Sequence, residues 1–167
     1  MPLVSNWSQP SDYSSFHARR GGPVWAPAAE QGASGRPTAS VSTATRVLVV
    51  EDDFLISMSV EDALTEAGFE VVGVSRTAEE AVAAAAEARP ALVVMDIRLA
   101  GKRDGIDAAQ EIYRRFGVRS IFATAHADAE IQARALAAAP LGWLQKPYST
   151  QALIELVRQA AAGLPSR

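Results

Sequence analysis

The chain has no cysteine, and only two of its 167 residues are histidine. The first absence excludes a disulfide framework, a thiolate nucleophile and thiolate-held metal. The second leaves only His17 and His126, which argues against a histidine metal cluster. A basic excess is missing as well: 16 Lys and Arg stand against 19 Asp and Glu, for a net charge of −3 and a pI near 5.4. Surfaces that track nucleic-acid phosphates rely on clustered Lys and Arg, so no nucleic-acid partner is expected. No run approaches the roughly 18 apolar residues of a membrane span, and the N-terminus lacks the basic segment and apolar block of a secretory leader. The expectation is a soluble, cytoplasmic protein with no membrane partner.

What the chain does have is an uneven distribution. Residues 1–44 carry five of the nine prolines and four of the eleven glycines, with many serines and no sustained period. This composition predicts a disordered tail. Its Trp7, Phe16 and Trp25 are either a short partner-binding motif or aromatics without a role, and the segment itself is functional, the product of a mis-assigned start, or an expression remnant. From Thr45 onward, short β-branched runs alternate with longer helical segments, the pattern of a parallel sheet with crossover helices. One domain is expected over 45–163, followed by a short tail at 164–167.

The predicted strands are 46–50, 70–74, 91–95, 118–123 and 141–144. Helix 54–67 places Ile56, Val60, Ala63, Leu64 and Ala67 on one face and stops at Gly68. The next, 77–89, opens on Thr77 with Glu80 three residues later, a capping-box spacing, and ends before Pro90. Helix 105–116 turns Ile106, Ala109, Tyr113 and Phe116 inward, and 127–138 is weakly apolar. Helix 149–162 opens on Ser149 and buries Leu153, Leu156, Val157 and Ala160. Five βα units with right-handed crossovers give an α/β fold: a doubly wound, five-stranded parallel sheet of the flavodoxin-like (βα)5 kind.

In such a sheet ligands sit beyond the carboxyl ends of the strands. Val47-Leu48-Val49-Val50 runs into Glu51-Asp52-Asp53, and Leu92-Val93-Val94-Met95 runs into Asp96. Converging carboxylates repel one another and lose solvation, a cost that a hard cation such as Mg²⁺ or a proton offsets. Thr124 ends the fourth strand and Lys146 follows the fifth. The order acid, acid, hydroxyl, ammonium suits transfer of a phosphoryl group to a carboxylate.

These residues carry a resemblance. Val49-Val50-Glu51-Asp52-Asp53, Val94-Met95-Asp96, Phe122-Ala123-Thr124-Ala125 and Lys146-Pro147, with spacings of 44, 28 and 22 residues between Asp52, Asp96, Thr124 and Lys146, make residues 45–163 similar to the response-regulator receiver domains of two-component signalling. The resemblance implies that Asp96 is the phosphoacceptor, attacking a phosphohistidine on a sensor histidine kinase or histidine phosphotransfer protein. It implies a Mg²⁺ cofactor held by Asp52 directly, by Glu51 through water, by Asp96, and by the backbone carbonyl of Arg98. Thr124 and Lys146 then bind phosphoryl oxygens, Trp143 occupies the position of the aromatic that couples to the switch, and Arg98 and His126 flank the path of the hydrolytic water. A Lys146-Pro147 cis peptide is implied too.

Such a module signals rather than catalyses. Its enzymology would be confined to self-phosphorylation from a donor and slow autodephosphorylation. Output would pass to another protein through the fourth helix, fifth strand and fifth helix, a face that also suits a phosphorylation-dependent homodimer. Asp53 either caps the first helix or stands in the outer shell of the metal. Competing readings are a degenerate receiver that binds partners without phosphotransfer, and a metal-dependent phosphohydrolase. The latter usually needs an acid two residues after its nucleophile, where this chain has Arg98. A dinucleotide or P-loop domain lacks its G-x-G-x-x-G or G-x-x-x-x-G-K signature here.

Overall fold

A computed structural model of the chain describes residues 44–125 and 128–164. Residues 1–43 of the segment read as a tail, the last three residues, and His126 with Ala127 lie outside the described residues. Strands β1 (Arg46–Val50), β2 (Glu70–Ser75), β3 (Leu92–Asp96), β4 (Arg119–Thr124) and β5 (Gly142–Gln145) run parallel in one sheet, in the order β2-β1-β3-β4-β5. They alternate with α1 (Phe54–Glu66), α2 (Ala78–Ala88), α3 (Gly105–Phe116), α4 (Ala129–Ala135, continued by a single 3-10 turn, Leu136–Ala138) and α5 (Thr150–Ala162). The expected doubly wound (βα)5 architecture is therefore the one found, with strand limits displaced by one residue at most at β2 to β5.

The strands β1 and β3 are apolar without alternation because both faces are covered. On one face Leu48, Val50, Val93, Met95 and Phe122 pack against Ala81, Ala85, Ile106, Ala109 and Ile112 of α2 and α3. On the other, Val47, Val49, Val94 and Ile121 meet Val60 and Leu64 of α1 and Leu153 and Val157 of α5. Fully burying each of these large side chains favours the fold by about 1.5–3 kcal/mol.

The helix starts are fixed by side-chain caps. Asp53 accepts from the amides of Leu55 and Ile56, Thr77 from Glu80, Asp128 from Ile131 and Ser149 from Ala152. The capping box expected at α2 forms in part: Glu80 returns its carboxylate to the amide of Arg76, one residue before the cap. A complete box stands at α3, between Asp104 and Asp107. Two inward assignments change. Ile56 is half exposed and lines an open apolar cleft of about 560 Å³ between α1 and α5, while Ser57 takes the buried place and donates to the carbonyl of Phe54. Tyr113 lies outward and Ile112 fills the core.

Three features of the fold build the site. The central pairing of β1 with β3 sets Val50 opposite Met95, so that Glu51 and Asp96 leave the sheet side by side. The β3–β4 and β4–β5 registers set Asp96 beside Ala123 and Thr124 beside Gln145. The amide of Gly105 donates to the carbonyl of Ile97 at 2.8 Å, and a Cβ at Gly105 would overlap the carbonyl oxygen of Asp96. Only glycine lets α3 start this close beneath Asp96.

Candidate functional site

Each acid arrives by a different local device. Glu51 follows the last residue of β1, and its amide is fixed to the carbonyl of Ser75 at 3.0 Å. Asp52 lies between that anchor and Asp53, whose side chain is committed to capping α1. Of the two roles open to Asp53 in the sequence, the structure shows the cap. Asp96 is the last residue of β3, 7% exposed, with Oδ1 accepting from the Arg98 amide at 3.1 Å. Carboxylate oxygens of Glu51, Asp52 and Asp96 all lie within 4.8 Å of one another.

One ammonium bridges two of these three acids. Lys146 Nζ donates to Glu51 Oε2 at 2.6 Å and to Asp96 Oδ2 at 2.7 Å. The side chain comes from the β5–α5 loop through a Lys146-Pro147 peptide that is cis, as expected, with the Lys146 amide on the carbonyl of Thr124 at 2.8 Å. Thr124 is buried at the end of β4, on the same edge of the sheet.

The charges are unequal in number, and the titration behaviour follows. Burial pushes the carboxyl of Glu51 up to about 7, the hydrogen bond from Lys146 opposes this, and the charge of Asp96 adds to it. Burial alone would lower the Lys146 ammonium, but its hydrogen bonds to Asp96 and Glu51 outweigh that and raise it. A short Lys146–Glu51 contact and an elevated Glu51 look contradictory. They agree once two carboxylates share one ammonium, because the negative charge left over favours a proton on the more buried acid. Tyr148, next to the site, is raised by burial.

A cluster of three partly or fully buried carboxylates, with no nitrogen or sulfur donor among them, fits a hard divalent cation of the Mg²⁺ type that keeps several of its waters. The structure thus brings together Glu51, Asp52, Asp96, Thr124 and Lys146 at one edge, as the spacing suggested. Arg98 contributes its backbone there while its side chain is exposed. Trp143 sits on the adjoining strand, its ring stacked on Phe122 at 5.1 Å between centroids and 27° between planes.

Two participants escaped the sequence reading. Arg76, at the end of β2, donates Nη2 and Nε to the carbonyl of Asp52 at 3.0 and 3.3 Å. No motif marks it; only its position one residue past a strand end gave a signal. Gly105 carries a signal of the same weak kind, a glycine directly after the capping Asp104.

Residues 47–158 match the family described as "Response regulator receiver domain". The chain belongs to that family. It is 37% identical over 128 residues to the transcriptional regulatory protein PdtaR of Mycobacterium tuberculosis, a match spanning 75% of this chain and 62% of that protein. It is 30% identical over 117 residues to the chemotaxis protein CheY of Thermotoga maritima, covering 70% of this chain and 97% of that one. It is 41% identical over 96 residues to the phyllosphere-induced regulator PhyR of Methylorubrum extorquens, or 57% of this chain and 36% of that one. The chain therefore spans less than two thirds of the length of PdtaR. Among solved structures, the receiver domain of a modulated diguanylate cyclase from Desulfovibrio desulfuricans superposes with a TM-score of 0.66 at 33% identity, over 71% of this chain and 94% of that one. The PhyR receiver domain of Erythrobacter litoralis gives 0.63 at 34%, over 74% and 95%. The described residues are thus a receiver domain of two-component signalling, a class of signalling modules that carry an acidic Mg²⁺ pocket. No helix among them is long and apolar enough to cross a membrane.

Proposed function

We propose that this receiver takes a phosphoryl group onto Asp96 from a phosphohistidine, and that the resulting charge reorganises its β4–β5 face to signal to another protein. The observation that carries this reading is Lys146 Nζ, held within 2.7 Å of both Glu51 and Asp96 at the centre of the acidic cluster. An ammonium in that place can trade one of its two carboxylate partners for an incoming anion. As the P–N bond of the donor breaks, its electron pair leaves with the imidazole and an Asp96 oxygen forms the new P–O bond. Lys146 then exchanges its carboxylate partner for a phosphoryl oxygen, and the Thr124 hydroxyl supplies a donor to another.

Glu51, Asp52, Asp96 and the Arg98 carbonyl would hold the Mg²⁺. When bound, the cation offsets repulsion between carboxylate and phosphoryl group and the charge spread over the equatorial oxygens. By the family resemblance Arg98 and His126 set the lifetime of the acyl phosphate. Because a ligand shifts a conformational equilibrium only through unequal affinity for two states, the inward movement of Thr124 is the switching step. Trp143, on the strand beside Thr124, transmits it. The partners are a sensor histidine kinase or histidine phosphotransfer protein on one side, and on the other an output protein or a second copy docked on α4, β5 and α5. These roles make the protein a cytoplasmic signalling module whose receiver domain carries out phosphotransfer and slow self-hydrolysis.

Incubation with Mg²⁺ and acetyl phosphate tests the reading. An acid-labile mass adduct is expected, lost in Asp96→Asn and absent without Mg²⁺. An adduct that persists in Asp96→Asn would place the chemistry elsewhere. Binding of partners that ignores phosphorylation altogether would favour the degenerate receiver.

A further inference from the structure

The acidic loop after β1 is braced from outside the cluster. Its peptide planes are pinned at two points by the end of β2: the Glu51 amide on the carbonyl of Ser75 at 3.0 Å, and the Asp52 carbonyl under the guanidinium of Arg76 at 3.0 and 3.3 Å. Beyond Asp52, the Asp53 side chain is fixed on the amides of Leu55 and Ile56 at 2.8 and 3.0 Å. The peptide before Glu51 is held by Ser75 and the peptide after Asp52 by Arg76, so Asp52 lies between two fixed peptides and the Arg76 clamp is the one that acts on its own carbonyl. The same β2–α2 corner reaches the other flank of the site, since Thr77 bridges Ala100 in the loop that follows Asp96 and Arg98.

Arg76 is also notable for what it bonds. Asp52, Asp53, Glu79 and Glu80 are all near it in sequence or across the corner, yet its guanidinium forms no ion pair within 4.0 Å among the described residues and gives both donors to a neutral carbonyl. Its charge is exposed and therefore screened, whereas its hydrogen bonds act directly on the backbone. Glu80 fixes the amide of Arg76 itself at 2.8 Å, so the arm that reaches the loop starts from a fixed base.

We propose that Arg76 is a positioning residue for the phosphoacceptor centre: by clamping the Asp52 carbonyl it holds the Asp52 carboxylate at the distance from Asp96 that a small, geometrically demanding cation requires. This inference rests on the proposed Mg²⁺-dependent phosphotransfer. Mg²⁺ tolerates little departure from octahedral oxygen geometry, so a loop free to rock loses affinity even with every carboxylate present. Two effects of removing Arg76 oppose each other. Losing a positive charge near three carboxylates favours the cation, while losing the clamp disfavours it, and the exposed position makes the clamp the larger effect.

The test uses the full chain, with Arg76→Met, which keeps the aliphatic stem but removes donors and charge, and Arg76→Lys, which keeps the charge and one donor. Calorimetric titration with Mg²⁺ should show about fivefold weaker binding in Arg76→Met, the scale of one ordinary hydrogen bond, and recovery of at least half of that in Arg76→Lys. The acetyl phosphate reaction should slow at limiting Mg²⁺ and regain the wild-type rate at saturation. In metal-free protein, the carbonyl ¹³C resonance of Asp52 should move in Arg76→Met. Unchanged or tighter Mg²⁺ binding in Arg76→Met overturns the proposal, as does loss of affinity in both variants alike. A wild-type chain that forms an Asp96 adduct while Arg76→Met behaves identically refutes the clamp alone; a wild-type chain that binds no Mg²⁺ refutes the clamp and the function together.

Discussion

Gly105 backs directly onto Asp96: a methyl group at Gly105 would overlap the Asp96 carbonyl oxygen and crowd the carbonyl carbon at 2.9 Å. The first residue of α3 is thereby packed against the backbone of the proposed nucleophile. No soft side chain lies between them to absorb a change.

Gly105→Ala should therefore disturb chemistry and stability together. Overpacking against backbone typically costs about 1–3 kcal/mol, and Asp96 must shift to relieve it. The expected result is a lowered thermal midpoint and an acetyl phosphate reaction slowed at least tenfold at saturating Mg²⁺. Wild-type kinetics in this variant would show that α3 can withdraw without moving Asp96.

Glu51 makes a pH dependence of definite sign. Its carboxyl is raised from an ordinary value of 4.5 to about 7, so between those values the folded protein holds a proton that the unfolded chain has released. Stability of the metal-free protein should fall as pH rises through that window. Mg²⁺ must displace the same proton, so its apparent affinity should climb with pH by at most about tenfold per unit and level off above about 7. Calorimetry in buffers of different ionisation enthalpy should detect proton release at pH 6. Glu51→Gln should flatten the slope, and a wild-type affinity constant from pH 5.5 to 7.5 would contradict it.

Lys146 offsets the charge of two largely buried carboxylates, its own side chain being 19% exposed. Lys146→Met leaves both unpaired, a change that costs about 2–4 kcal/mol when burial is partial. The lost stability should return on acidification or on adding Mg²⁺, either of which supplies the missing positive charge. Differential scanning fluorimetry with and without Mg²⁺ checks this: a Mg²⁺-induced rise in midpoint no larger than in the wild type would count against it.

Asp53 separates the roles of neighbouring acids. As the cap of α1 it should cost about 1 kcal/mol when replaced by Ala, with Mg²⁺ affinity unchanged within twofold. Asp52→Asn should do the reverse, leaving the melting midpoint near that of the wild type while Mg²⁺ binding weakens at least tenfold. Equal loss of Mg²⁺ affinity in both variants would mean that the cap and the cluster act as one unit.

The strands and helices were legible in the sequence because period and caps agreed: β-branched runs covered on both faces, Thr77 and Ser149 at helix starts, prolines just after helix ends. The site was legible because four polar residues fell at the carboxyl ends of four strands. What escaped depends on tertiary placement. Ile56 has the spacing of a core residue, but the helix phase turns it to the cleft and buries Ser57, whose hydroxyl is satisfied within its own helix turn. Tyr113 and Ile112 exchange roles for the same reason, since adjacent apolar residues on a helix differ by a rotation that spacing alone does not resolve. Arg76 has no local signature, since its partner is a carbonyl 24 residues away, and a hydrogen bond to backbone that distant, unlike a helix cap, leaves no trace in residue type. The stack of Trp143 on Phe122 follows from the β4–β5 register, which single strands do not announce.

The β1–β3 register, with Val50 opposite Met95, has a wider meaning. Side chains of a strand alternate between faces, so sliding β3 by a single residue would exchange its two faces and carry Asp96 away from Glu51. The alignment is maintained by hydrocarbon several residues deep, in Val47, Val49, Val93 and Val94, none of which touches an anion. Repacking those valines is therefore a way to retune the acceptor from a distance, and drift at such interior positions among relatives would alter reactivity while every polar residue stayed the same.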